Sequence, residues 1–160
     1  MKAKFFVLML FAAMFTNPGF SGAASNYDDK AFFDLCMTGS RDDIELAVKN
    51  GANVNAKNED GLTALMLAAS LKHNPDVIAV LIENGSELEA KDEDGKTSLF
   101  YAVNTSNVEG TKTLLAFGAN PNVWDQKGEP LLFHAITTED LAILKTLFDY
   151  GTDADIRNRQ

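Results

Sequence analysis

Few side chains of this chain have the chemistry of a catalytic or metal-binding group. The chain contains one cysteine, Cys36, and two histidines, His73 and His134, which lie far apart in the sequence. Nucleophilic catalysis needs a nucleophile beside a base, and a metal site needs several Cys, His or acidic ligands brought together. The sequence shows neither pattern, so we expect no catalytic residues, no cofactor and no metal site.

Each of these three residues has a structural explanation. Cys36 lies in an apolar run and is expected to be a buried small hydrophobic residue, and a single cysteine excludes an intramolecular disulfide. His73 falls in a turn. His134 stands where other copies of an internal repeat have Leu67 and Tyr101, so we expect it to be half-buried and hydrogen-bonded.

Two acidic runs, 58–60 and 92–94, resemble calcium ligands only loosely. They lack the loop length and the closing glutamate of a calcium-binding loop, so we expect them to be solvated tips. A glycine-rich phosphate loop is not indicated either, because the glycines follow helices rather than strands.

The internal repeat organises the whole chain. Gly51, Gly85, Gly118 and Gly151 recur at spacings of 34, 33 and 33 residues. The copies read GANVNAKNEDGLTALMLAA, GSELEAKDEDGKTSLFYAV and GANPNVWDQKGEPLLFHAI, and a fourth begins as GTDADIRNRQ. Each copy predicts two short antiparallel helices and an extended finger. Helices this short are unstable alone, so stacking of neighbouring copies must hold them.

These copies resemble the ankyrin repeat. The resemblance rests on the residues at 51–56, 60–65 and 94–99, and on 118–120 followed by Asn122. It implies an all-α ankyrin-repeat solenoid of stacked helix-turn-helix units with extended β-hairpin-like fingers. It also implies a concave surface of fingers and first helices that binds other proteins and has no catalytic activity. Met66, Phe100 and Phe133 replace the family's histidine, so we expect its hydrogen bonds between loops to be absent.

Residues 1–24 have the pattern of a secretory signal peptide. Lys2 and Lys4 precede an apolar run of eleven residues, and the small residues at 21–24 allow cleavage after Ala23 or Ala24. The alternative, a membrane anchor, needs about 20 apolar residues. We therefore expect an exported protein, periplasmic in a bacterium or secreted. The mature chain would carry 12 basic and 23 acidic residues, a charge of −11 that disfavours nucleic acid and anionic lipid.

The remaining chain, 25–160, is predicted to be one repeat domain. It divides into a capping repeat at 27–57, which we call repeat 1, and repeats 2, 3 and 4 at 58–90, 91–123 and 124–156, with an incomplete repeat starting at 157–160. We expect helices over 27–37, 42–49 and 64–70, and another starting at Asn74-Pro75. Leu46 is expected to face the stack, and Gly110 to weaken its helix by about 1 kcal/mol.

The C-terminal end is predicted to lack a covering helix. Gln160 aligns with Asp60, so the copy stops before its first helix. Leu144, Leu147 and Phe148 are therefore expected to be partly exposed. A second copy of the protein, a partner, or residues beyond this sequence could cover them.

The variable residues of the repeats predict a binding edge. One finger position holds Lys57, Lys91, Trp124 and Arg157 in turn, and the tip pairs are Glu59-Asp60, Glu93-Asp94, Gln126-Lys127 and Arg159-Gln160. The edge thus changes from acidic to basic and aromatic. Trp and Arg often dominate interface energies, which favours Trp124 as an anchor. Alternatively, Trp124 packs over a neighbouring finger or stacks on Lys91 or Arg157. The first helices would add Ser70, Leu71, Asn104, Thr105 and Thr137.

The sequence therefore predicts a non-catalytic protein-interaction module in an exported compartment. Alternatives are a secreted factor that acts on a host or competitor protein, a regulatory fragment of a longer chain, and self-association through the C-terminal end.

Overall fold

The computed structural model describes residues 28–72 and 75–155, and within these ranges the chain forms eight α-helices and no named strand. The predicted signal peptide, His73, Arg157 and Arg159 lie outside the described residues. The helices are α1 (Asp29–Thr38), α2 (Arg41–Lys49), α3 (Ala64–Ser70), α4 (Pro75–Glu83), α5 (Ser98–Asn104), α6 (Val108–Ala116), α7 (Leu131–Thr137) and α8 (Leu141–Asp149). No helix in the described ranges is both long and apolar enough to cross a membrane.

The helices stack in two layers. The first helices of successive repeats, α1, α3, α5 and α7, pack in that order, and the second helices, α2, α4, α6 and α8, form the other layer. One continuous core runs through the stack, with Phe32, Leu65, Leu81, Leu99, Leu114 and Leu131 among its fully buried side chains. The predicted all-α repeat solenoid is confirmed.

Local sequence signals set the helix ends. Thr63 caps the N-terminus of α3: its Oγ1 accepts a hydrogen bond from the Met66 N–H at 3.3 Å, and its own N–H donates to the Met66 sulfur at 3.4 Å. Pro75 occupies the first position of α4, where its missing N–H removes no helical hydrogen bond. Gly85 follows the end of α4 with φ 93°, a conformation that favours glycine.

Repeat 1 has the polar outer face expected of a cap, but one predicted core residue is wrong. Its acidic residues Asp28, Asp29 and Asp34 are exposed while Phe32 is buried. Leu46, expected to face the stack, is 50% exposed. The inward positions of α2 are Ile44 and Ala47, three residues apart on one helix face, and Leu46 lies off that face.

The C-terminal repeat exposes apolar residues that the preceding repeat buries. Phe133, Ile136 and Phe148 are 40%, 53% and 48% exposed, whereas their equivalents Phe100, Val103 and Leu115 are 0%, 0% and 5% exposed. The expectation for Leu147 is wrong, because that side chain is fully buried. It lies one helical turn from buried Ile143, on the face that packs against α6.

Gly110 has a structural role that the sequence analysis did not anticipate. A Cβ atom there would lie 2.4 Å from Nδ2 of Asn107. That amide caps α6 by accepting from the Gly110 N–H at 2.9 Å, and it donates to the carbonyls of Ala69 and Leu71 at 2.9 Å each. Glycine therefore makes room for a buried amide that joins repeats 2 and 3, which offsets its poor helix propensity.

Three polar side chains tie the loops of neighbouring repeats together. Asn55 donates to the Gly85 carbonyl at 3.0 Å and accepts from the Glu87 N–H at 2.9 Å. Glu89 accepts from the Asn120 N–H at 2.8 Å. Asn122 repeats the pattern of Asn55, with the Gly151 carbonyl at 3.3 Å and the Asp153 N–H at 2.9 Å. These bonds join the loops although the family histidine is replaced.

Candidate functional site: the finger edge

Each finger is a short turn that is closed by one carboxylate or amide. In repeat 3, Oδ1 of Asp92 accepts from the N–H groups of Asp94 and Lys96 at 2.9 and 2.8 Å. Asn58 in repeat 2 and Asp125 in repeat 4 make the equivalent pairs of bonds. The finger tips are therefore rigid and present their side chains at repeating intervals.

The lysines at the predicted contact position also join neighbouring fingers. Nζ of Lys57 donates to the Lys91 carbonyl at 2.8 Å, and Nζ of Lys91 donates to the Trp124 carbonyl at 3.4 Å. The backbone N–H of Gln126 donates to the Asp94 carbonyl at 2.7 Å. We call the two lysine bonds the finger ladder. Both lysines remain exposed, so they stabilise the edge and also face solvent.

An acidic groove lies between the fingers of repeats 2 and 3. It has a volume of about 260 Å³ and is lined by Asp60, Leu62, Asp92, Glu93, Asp94 and Tyr101. Three of the predicted contact residues, Asp60, Glu93 and Asp94, thus lie together. Glu59 is exposed at the neighbouring tip.

A second groove lies along the fingers of repeats 3 and 4. Its volume is about 490 Å³, and it includes the predicted contact residues Lys91, Trp124, Gln126 and Lys127. Asn120 and Asn122 line it as well, a pair that the sequence analysis did not select. Trp124 is half-buried, and its backbone pairs with Pro130 across the finger. A groove lined by an indole, two lysines and amide groups can bind both apolar and polar parts of a ligand.

The predicted contact residues of the first helices lie elsewhere. Ser70, Thr105 and Thr137 sit at or next to the C-terminal ends of their helices and donate their hydroxyls to backbone carbonyls three or four residues earlier. Leu71 is half-buried and Asn104 is exposed. These five residues do not line either groove.

Repeat 4 contains a cluster that the sequence analysis missed. Nε2 of His134 lies 3.4 Å from Oδ2 of Asp125 and 3.8 Å from Oε2 of Glu129. The expectation that His134 is half-buried is confirmed, but the expected hydrogen bond is not well formed at this nitrogen, which is shielded from solvent and has no well-aligned partner in the described part of the chain. Burial acts to raise the pKa of Asp125, but the N–H groups of Glu129 and Lys127 and the nearby imidazole outweigh it and lower the pKa.

Repeat 3 fills the same place with a hydrogen bond from a phenol to the finger carboxylate. The Tyr101 hydroxyl donates to Oδ2 of Asp92 at 2.5 Å. Burial and the adjacent Asp92 raise the pKa of Tyr101, so the phenol remains protonated as a donor. The repeat 4 cluster could have been found from the sequence by its spacing. Glu129 and His134 follow Asp125 by four and nine residues, as Lys96 and Tyr101 follow Asp92.

The arrangement of helices and fingers shows which class of protein this chain belongs to. Stacked helix pairs with open grooves along rigid fingers make a helical repeat protein with an extended binding surface. A family model described as "Ankyrin repeats (3 copies)" matches residues 12–92, 32–125 and 72–158. The chain belongs to the ankyrin-repeat family, whose members generally act as protein-interaction modules and are typically not enzymes. The comparison with curated proteins gave no match.

Proposed function

We propose that this protein is an exported, non-catalytic module that binds a partner protein along its finger edge. The observation that supports the proposal most directly is the pair of neighbouring grooves, one lined by acids and the other by Trp124 with two lysines. A partner that presents basic and acidic groups in the matching order would be complementary to both. Rigid finger turns limit the ordering entropy lost on association.

A binding assay with two matched variants tests this surface. The parent protein, Trp124→Ala and Leu141→Glu would each be used to capture proteins from periplasmic and culture-medium fractions. Leu141 is exposed but lines neither groove, so Leu141→Glu is the control that should keep partner binding. The alanine variant keeps the carbonyl that accepts from Lys91, so the finger ladder is retained. For a partner held by the parent, we expect the Trp124 variant to weaken binding by about 30-fold, the effect of losing a dominant interface residue. Unchanged binding of that variant would contradict the proposal.

Export is tested on the protein produced by its own cells. If residues 1–24 are a cleaved signal, intact mass measurement of the exported protein should give a chain that starts at Ala24 or Ser25. Recovery in the periplasm or in the medium would also separate a periplasmic partner from a host or competitor protein. An uncleaved chain in the cytoplasm would contradict export.

A specific observation also favours self-association as a second candidate. Leu141 is 79% exposed, and Phe133, Ile136 and Phe148 are exposed where repeat 3 buries the equivalent residues. An apolar surface of this kind is a common site of protein contact. Light scattering should then show a dimer that Leu141→Glu dissociates and Trp124→Ala leaves intact. The two variants therefore distinguish the two surfaces.

A further inference from the structure

The cluster formed by Asp125, Glu129 and His134 has the composition of a metal site. We propose that these three side chains bind one divalent transition-metal ion, and that Zn²⁺ fits them best. One imidazole nitrogen and two carboxylate oxygens are ligands that zinc accepts, with water at the fourth position. The proposal concerns a small-ion site. Asp125 also lines the groove of repeats 3 and 4, but the proposed ion binding does not depend on a protein partner.

The distances between the three ligand atoms suit a tetrahedral ion. Ligands about 2.0 to 2.2 Å from zinc stand about 3.3 Å from one another in a tetrahedron. Nε2 of His134 and Oδ2 of Asp125 are 3.4 Å apart, and Nε2 lies 3.8 Å from Oε2 of Glu129. All three atoms lie within 4.8 Å of one another. Glu129 is half exposed, so a small rotation of its side chain closes the remaining gap.

The surrounding structure already holds two of the ligands in position. Oδ1 of Asp125 accepts from the N–H groups of Lys127 and Glu129 at 2.9 Å each, and this leaves Oδ2 facing His134. The Asp125 side chain is only 4% exposed. The ring of Phe100 meets the His134 ring edge-on, with the ring centres 5.1 Å apart. Supporting contacts of this kind fix the orientation of metal ligands.

The buried nitrogen of His134 is the independent indication of a ligand. Nε2 is shielded from solvent and has no well-aligned hydrogen bond in the described part of the chain. Its nearest acceptors are the carboxylates of Asp125 and Glu129, at 3.4 and 3.8 Å, which form ion pairs with it only when the imidazole is protonated. A neutral imidazole nitrogen that faces two carboxylates therefore calls for a cation between them. An ion between this nitrogen and the two carboxylates would complete its coordination and offset the repulsion between the two acids.

The neighbouring repeats lack this combination at the same positions. Repeat 2 has Asn58, Leu62 and Leu67, and repeat 3 has Asp92, Lys96 and Tyr101. In repeat 3 the tyrosine satisfies the aspartate directly, and Lys96 pairs with Asp94 at 3.1 Å. Of repeats 2, 3 and 4, repeat 4 is therefore the one in which all three of these positions hold a side chain that can bind a metal ion.

Titration calorimetry tests the site on the full-length protein, prepared without a histidine tag and freed of metal with a chelator. We expect Zn²⁺ to bind once per chain through this site. His134→Tyr, which copies repeat 3 and offers Asp125 a hydrogen-bond donor, should weaken binding tenfold or more. Glu129→Lys, which also copies repeat 3, should do the same. Glu93→Gln, in the acidic groove, is the matched control and should leave binding unchanged. Circular dichroism confirms that each variant is folded.

The imidazole signals in nuclear magnetic resonance spectra give a second readout. The chain has two histidines, so His73 is an internal reference. Zinc should shift the ring signals that disappear in His134→Tyr and leave the other set in place. The proposal is overturned if folded protein binds no zinc at millimolar concentration, if zinc shifts only the His73 signals, or if Glu93→Gln weakens binding as much as His134→Tyr.

Discussion

Repeats 3 and 4 are built on the same plan and differ in what surrounds them. In repeat 3, Phe100 is fully buried between its neighbours, and Tyr101 closes the finger by donating to Asp92. In repeat 4, Phe133 is 40% exposed, and His134 faces two carboxylates without a hydrogen bond at Nε2. At equivalent positions, repeat 3 therefore buries its phenylalanine and gives its finger aspartate a tyrosine donor, whereas repeat 4 leaves its phenylalanine partly exposed and places a histidine beside two carboxylates.

The largest change should come from transferring the cluster of repeat 4 into repeat 3. Lys96→Glu combined with Tyr101→His adds a glutamate and a histidine to Asp92, so that all three ligand types stand in repeat 3 at the spacing of repeat 4. If that spacing is sufficient for zinc, calorimetry should count two ions per chain instead of one. A stoichiometry of one in the folded double variant would mean that surroundings peculiar to repeat 4 are required.

The next largest effect should come from the two phenylalanines. Phe100→Ala removes a fully buried ring and should lower the free energy of unfolding by about 3 to 5 kcal/mol. Phe133→Ala removes a partly exposed ring and should cost about 1 kcal/mol, because less apolar area is lost. Urea denaturation of both variants gives the two values. Equal losses would show that Phe133 is covered in solution, for example by a second copy.

Removing a helix cap should also destabilise the protein more in repeat 3 than in repeat 4. Asn107→Ala removes the cap of α6 and leaves the carbonyls of Ala69 and Leu71 without their donor, for a loss of about 2 to 3 kcal/mol. Asp140, which stands in the equivalent position, accepts from the N–H groups of Ala142 and Ile143 at the start of its own helix, and among the described residues it makes no bond to the preceding repeat. Asp140→Ala should cost about 1 kcal/mol. Thermal or urea unfolding that ranks Asp140→Ala as the more damaging would contradict this assignment.

The smallest predicted effect concerns the tyrosine of repeat 3. Tyr101→Phe removes one half-buried hydrogen bond and should lower the free energy of unfolding by about 1 kcal/mol at neutral pH. The pKa of Tyr101 is raised in the folded protein. The stability that its hydrogen bond contributes is therefore present below the ordinary tyrosine pKa and is lost as the pH rises through the raised pKa of the folded state. Tyr150→Phe, at an exposed tyrosine, is the control and should change nothing measurable.

The sequence predicted those features that depend on local pattern. The bounds of α3 and the start of the next helix at Pro75 agree with the prediction, because caps and apolar spacing are written in the residues themselves. Exposure was less predictable. Leu46 and Leu147 were misplaced because an apolar residue on a short helix shows its face only when the neighbouring helix is known.

The candidate site also has parts that the sequence predicted and parts that it did not. Trp124, Gln126 and Lys127 lie together in one groove, as their shared finger positions suggested, although their role in binding remains a prediction. The finger ladder could not be predicted, because its acceptors are backbone carbonyls that leave no mark on the sequence. The cluster around His134 was visible in principle, through comparison of the residues four and nine positions after Asn58, Asp92 and Asp125.

The finger ladder has a consequence for how this surface can change over time. Each lysine donates to the main chain of the next finger, so the side chain on the accepting residue is not part of the bond. Trp124 can stand where a lysine stood without removing the acceptor that Lys91 uses. The position of Trp124 can therefore be randomised in a library, or drift under selection for a new ligand, while the bond that Lys91 makes to its carbonyl is kept.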